Sequence, residues 1–174
     1  MSDSVVVVDY DPRWPSMFED EAARLRAAAG PALVELHHVG STAVPGLAAK
    51  PILDMLGGVR TLEDADALVP RIVAAGYVYD RTHEDELPRR RYFVRRGPDG
   101  VRTHHLHVVE MGSWFWTQHL AFRDHLRARP DVAARYAALK RELAARFPDD
   151  RVAYTSGKSE FIAACLPGAR VQGK

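Results

Sequence analysis

At 174 residues and 47% hydrophobic composition, the chain is long enough to bury a core of its own, so neither disulfides nor a metal is needed for folding. A net charge of +1 supplies no global field for nucleic acid or an anionic membrane. No apolar run approaches a membrane span and no secretory or transit segment opens the sequence, so a cytoplasmic location is expected.

A short β-branched run at 5–8 reads as a strand or extended lead-in. Ser16 and Glu19 have capping-box spacing, and Phe18, Ala22, Leu25 and Ala29 recur at helical spacing until Gly30-Pro31. Residues 33–39 form a predicted strand, 40–49 a loop of small residues, and 51–56 a second strand closed by Gly57-Gly58. A helix from Thr61 and Asp64 to Gly76 carries Pro70 in its middle, which predicts a kink or a split. A short strand at 77–80 precedes strands 91–95 and 101–109, joined by the turn Gly97-Pro98-Asp99-Gly100. Three helices close the chain at 113–127, 130–147 and 150–166. The fold expected is α/β (α+β): a mixed, twisted sheet flanked by helices, with a C-terminal helical part. The whole reads as one domain over 1–170, divided into a core (1–112) and a helical extension (113–166). The single cysteine, Cys165, sits among apolar neighbours and reads as a buried, inert thiol.

Chemistry concentrates where the first strand ends in Gly40-Ser41 and the next carries Asp54. Glycine permits close backbone approach, and adjacent N–H groups with a Ser hydroxyl can cradle phosphate oxygens. Asp54 is a candidate catalytic carboxylate beside that turn, able to hold a divalent ion. The alternative is a tight turn that uses Gly-Ser. The chain has 20 arginines but only 4 lysines, so Lys50, Lys140 and Lys158 stand out as compact ammonium groups suited to phosphate. Tyr136 with Lys140 and Tyr154 with Lys158 repeat one-turn spacing. They read as helix-borne phosphate clamps, or as surface lysines beside core tyrosines.

The pattern Gly-Ser, twelve residues, then Asp resembles the nucleotidyltransferase superfamily. Nearly the whole chain resembles the GrpB-like family: Tyr10 to Trp14, His38 to Gly46, Ala49 to Asp54, Arg91-Tyr92-Phe93, His105 to Val108, His119 to Asp124, Tyr136 to Lys140, and Tyr154 with Lys158, Phe161 and Ile162. The resemblance implies a nucleotidyltransferase fold, and relatives fused to dephospho-coenzyme A kinase point to nucleotide-like ligands. It also singles out Arg91 among the hairpin arginines as a phosphate-binding candidate. His119 and Arg123 share the motif without an assigned role.

One departure from the superfamily is plain: the second strand acid is replaced by Leu56. His105 and His107, two apart on a strand, share a face and could complete a metal site with Asp54, or be packed strand histidines. The expected cofactor is therefore a divalent metal (Mn, Mg or Zn). The expected activity is metal-dependent nucleotidyl or phosphoryl transfer to a small molecule, and the partner a nucleotide or another phosphate-bearing small molecule. The alternative is a non-catalytic nucleotide-binding module. Net charge argues against a third reading, nucleic-acid binding through the Arg-rich hairpin.

Overall fold

The structure, a computed structural model, describes residues 4–166. Helix α1 (Trp14–Ala29) buries Phe18, Ala22, Leu25 and Ala29 along one stripe. It begins ahead of the expected cap. Pro15 occupies the first turn, where its missing N–H costs nothing, and Ser16 lies inside the helix with Oγ donating to the Arg13 carbonyl at 2.9 Å.

Five strands follow: β1 (Glu35–Val39), β2 (Leu53–Val59), β3 (Val78–Tyr79), β4 (Arg90–Arg96) and β5 (Arg102–Glu110). Their order is β1-β2-β5-β4-β3, with β2 and β5 parallel and the other pairs antiparallel. Residues 5–8 contribute only an isolated bridge, Val8 to Ala49. β2 does not stop at its glycines. A Cβ on Gly58 would lie 2.7 Å from the Trp116 ring, so the residue is small because an aromatic side chain packs on the strand there.

Helix α2 (Leu62–Ala74) starts on a reciprocal capping box between Thr61 and Asp64. Pro70 neither splits nor ends it, being exposed, where water can reach the carbonyl that loses its donor. Helices α3 (Trp114–Ala128) and α4 (Pro130–Arg146) lie close to expectation, but the last helix is two, α5 (Arg151–Ser156) and α6 (Ser159–Cys165), broken at Gly157-Lys158. Cys165 is half-buried against the Val44–Leu126 cluster, and burial pushes its thiol up.

Strand alternation sorts the sheet into two faces. Met55, Val59, Phe93, Leu106 and Val108 pack with α1 and α2 in the largest core cluster. On the opposite face Val39, Leu56 and Val109 pack against Trp116 of α3. Asp54 is on this second face, two residues before Leu56.

Candidate functional site

β1 runs antiparallel to β2 with Val39 opposite Asp54, so the chain leaves β1 directly over that carboxylate. Gly40 takes φ +69°, and a Cβ there would lie 2.7 Å from Asp54 Oδ2, so the turn demands glycine twice over. Helix α3 braces the turn from behind: Arg123 Nη1 donates to the His38 carbonyl at 3.1 Å and Arg127 Nε to the Ala43 carbonyl at 2.9 Å. This gives Arg123 a positioning role. His38 belongs to the same brace, stacked on Phe18 and 2.8 Å from Thr42 Oγ1; burial pushes it down to about 4, so it stays neutral.

Three amines line the cavity beside this turn. Lys140, only 2% exposed, donates from Nζ to Ser41 Oγ at 2.8 Å and to the Ala48 carbonyl. Both acceptors are neutral. Burial, and next the charge of Lys158, push Lys140 down to about 7, although Asp54 opposes the change. Lys50 and Lys158 approach the buried Tyr154 ring at 5.0 and 4.8 Å from its centroid. Burial pushes Lys50 down to about 8, helped by the charges of Arg151 and Lys158, and burial also lowers Lys158. The helix break at Gly157 replaces the expected one-turn spacing of Tyr154 and Lys158, yet leaves both at the cavity.

The parallel register sets Asp54 beside His105 and Leu56 beside His107. His105 Nδ1 lies 2.8 Å from Asp54 Oδ1, and its Nε2 lies 3.2 Å from Arg151 Nη2. Nδ1 therefore carries the proton it donates to Asp54, and Nε2 accepts from Arg151. Burial alone would raise the Asp54 carboxyl, but the His105 hydrogen bond, with the charge of Lys50 beside it, holds it well below the usual range. His107 is one residue pair further along. Its ring stacks on Tyr92 at 4.8 Å and lies 5.3 Å from Phe115 and 6.1 Å from His119, and burial keeps it neutral. Asp54, His105 and His107 are not arranged around a common point as expected of metal ligands: both His105 nitrogens are engaged and His107 belongs to a ring stack. Among the described residues, no group of three or more His, Cys, Asp or Glu is placed to hold a metal ion.

Gly40, Ser41, Lys50, Asp54, His105, His107, Lys140 and Lys158 all line one cavity of about 510 Å³. Arg91 does not. It shares its face with Phe93, towards α2, where it pairs with Asp66 at 2.5 Å and Glu84 at 3.3 Å. Strand parity alone separates it from Asp54, because Tyr92 pairs with His107 and so faces the cavity, with Arg90 on the same side. Arg90, Tyr92 and Arg151 are cavity residues that sequence reasoning missed; the first two were legible from that alternation, Arg151 was not. Three further hairpin arginines are also partnered: Arg89 with Glu110, Arg95 with Glu21 at 2.8 Å, and Arg96 with the Gly100 carbonyl at 2.7 Å. No helix among the described residues is long and apolar enough to cross a membrane.

Comparison with known proteins agrees with the sequence resemblance. The family model described as GrpB protein matches residues 4–167. The UPF0157 protein YqkA of Bacillus subtilis is 42% identical over 158 residues, covering 91% of this chain and 45% of that protein. The glutamate-rich protein GrpB of Alkalihalophilus pseudofirmus is 34% identical, with 91% of each chain covered. A Dephospho-CoA kinase of Mycolicibacterium paratuberculosis is 33% identical over 182 residues, of which the match spans 44% of its length. The crystal structure of GrpB from Enterococcus faecalis superposes with a TM-score of 0.82 at 38% identity, covering 92% of this chain and 94% of that one.

Proposed function

The chain belongs to the GrpB family, and on that premise we propose that its cavity binds a phosphate-bearing small molecule of the nucleotide class and transfers a nucleotidyl or phosphoryl group to a small-molecule acceptor. The observation that carries this reading is Lys140, a buried ammonium whose hydrogen-bond partners are neutral oxygens of the Gly40-Ser41 turn and Ala48. A buried charge without a partner ion is costly unless a ligand supplies the counter-charge. A phosphate on the Ser41 turn does so, and Lys50 and Lys158 stand ready to share it. A nucleotidyltransferase-type fold is part of the same proposal, supported by the strand–turn–strand geometry that sets Gly40 against Asp54. A cytoplasmic location also belongs to it.

The divalent ion (Mn, Mg or Zn) implied by the superfamily does not fit the protein donors as they stand, because His105 is committed to Asp54 and Arg151. The mycobacterial relative's name suggests a phosphate-bearing ligand, but this chain matches less than half of that protein, so its kinase activity is not carried over.

A second reading, binding without transfer, is favoured by Leu56. It stands where the superfamily has a second acid, and it is fully buried among Val39, Val109 and Trp116. Nucleoside triphosphates should raise the melting temperature of the wild type, and phosphorus NMR with a panel of small alcohol and amine acceptors reads transfer directly. The transfer reading expects product from the wild type and bound nucleotide without product in Asp54→Asn. Binding with no product in either leaves the second reading; no binding overturns both.

A further inference from the structure

Resting on the phosphate reading above, we propose that this cavity takes its anion as a metal-free polyphosphate, with lysine ammonium groups in place of the divalent ion. Three observations of geometry lead there. First, the carboxylate that would anchor an ion is already engaged: Asp54 Oδ1 accepts from His105 Nδ1 at 2.8 Å, and His105 Nε2 accepts from Arg151 at 3.2 Å. Second, the cations come from different elements and aim at one place. Lys50 comes from the loop before β2, Lys140 from α4, Arg151 from α5 and Lys158 from the break before α6, and all line the same cavity. Third, Lys50 and Lys158 lie against the Tyr154 ring, and Lys140 lies 4.7 Å from the Tyr136 ring centroid, so aromatic faces hold the amines where carboxylates would otherwise pair with them.

The sign of the field follows. These amines disfavour one another's charged forms, as the effect of Lys158 on both Lys50 and Lys140 shows. A dication would add to that repulsion, whereas a polyanion relieves it. A metal-bound polyphosphate also arrives with much of its charge already cancelled, and so gains less from the amines. Ser41 and the turn would hold one phosphate, leaving Lys50 and Lys158 for the next along the chain.

Inorganic tripolyphosphate is the probe, titrated calorimetrically into the intact chain with EDTA present and again with excess Mg²⁺ or Mn²⁺. Binding is expected in EDTA, and several-fold weaker affinity with the metals. Asp54→Asn is expected to bind tripolyphosphate more tightly than the wild type, because a negative charge leaves the cavity while Asn keeps an acceptor for His105. Binding that requires Mg²⁺ or Mn²⁺, or that is lost in a folded Asp54→Asn, would overturn the metal-free proposal and leave the phosphate reading standing. No heat in EDTA or with metal would overturn the phosphate reading and this proposal with it.

Discussion

The two faces of the sheet treat buried charge in opposite ways. Towards α1 and α2, buried Glu21 is met by Arg24 at 2.5 Å, Tyr77 at 2.6 Å and Arg95 at 2.8 Å. Burial alone would raise its carboxyl, yet the hydrogen bonds from Arg24 and Tyr77 hold it below its usual range. Arg91 on that face is matched by Asp66 and Glu84. Towards α3–α6, buried Lys140 meets only neutral oxygens, and its charge is suppressed rather than balanced. One face is electrostatically closed; on the other, Lys140 has no ion partner within hydrogen-bond reach. The same side-chain chemistry closes ion pairs on one side and leaves a buried amine without an ion partner on the other.

That contrast breaks most visibly at Glu21. Glu21→Ala removes the common partner of two guanidinium groups and a tyrosine hydroxyl, and should cost about 2–3 kcal/mol of stability in urea unfolding, since the buried Tyr77 hydroxyl loses its acceptor while the guanidinium groups, each about a third exposed, regain water. Phosphate affinity should not change, because none of these groups reaches the cavity. Gly40→Ala should cost about 1–3 kcal/mol, from the positive φ and from the contact with Asp54. Unlike Glu21→Ala, it should also abolish phosphate binding; retained binding would show that the turn is not the cradle.

The pH response sharpens the comparison further. Lys140 titrates near 7 in the fold against 10.5 ordinarily, so below pH 7 both states hold the proton and its burial penalty is fully felt. Above that, the folded protein has released the proton while the unfolded chain keeps it, so stability rises with pH until the unfolded lysine also titrates. Between pH 7 and 9 the gain over Lys140→Met should be on the order of 1–2 kcal/mol in thermal or urea melts, with phosphate affinity falling over the same window. A flat difference between the two proteins contradicts a suppressed Lys140. Smallest of all, Arg89→Ala removes an exposed partner of Glu110 and should change stability by less than about 0.5 kcal/mol. Nucleic-acid retention by the wild type, lost in Arg89→Ala, would restore the hairpin as an interface.

Much of this was legible beforehand because it is local. Alternation and turn chemistry mark all five strands, and the Gly40-Ser41 to Asp54 spacing marks the turn that lies over the carboxylate. Local rules also set the errors. Ser16 has cap spacing, but Pro15 starts the helix earlier, and Pro70 sits on an exposed face that tolerates it. Gly57-Gly58 resemble a strand end, yet Trp116, far along the chain, packs on Gly58. At the site, what sequence leaves open is register. His105 and His107 share a face, but only the β2–β5 pairing tells which of them meets Asp54. Lys140 gave no sign of burial in the sequence, because its partners Ser41 and Ala48 come from the other end of the chain. Treated as a surface lysine, it would be expected to cost almost nothing on replacement; at 2% exposure its loss becomes the decisive perturbation.

Lys140→Met keeps the volume of the side chain and deletes the charge. Calorimetric titration of a nucleoside triphosphate into this variant and the wild type, with urea unfolding of both in the absence of ligand, tests the open face most directly. A buried, uncompensated ammonium contributes little to the free protein, so the variant should be as stable as the wild type or more so. Its ligand affinity should fall by roughly 10- to 100-fold, the worth of a charge-assisted hydrogen bond. A variant that loses stability while binding the triphosphate as tightly as the wild type would contradict the account, making Lys140 a structural brace for the Ser41 turn and nothing more.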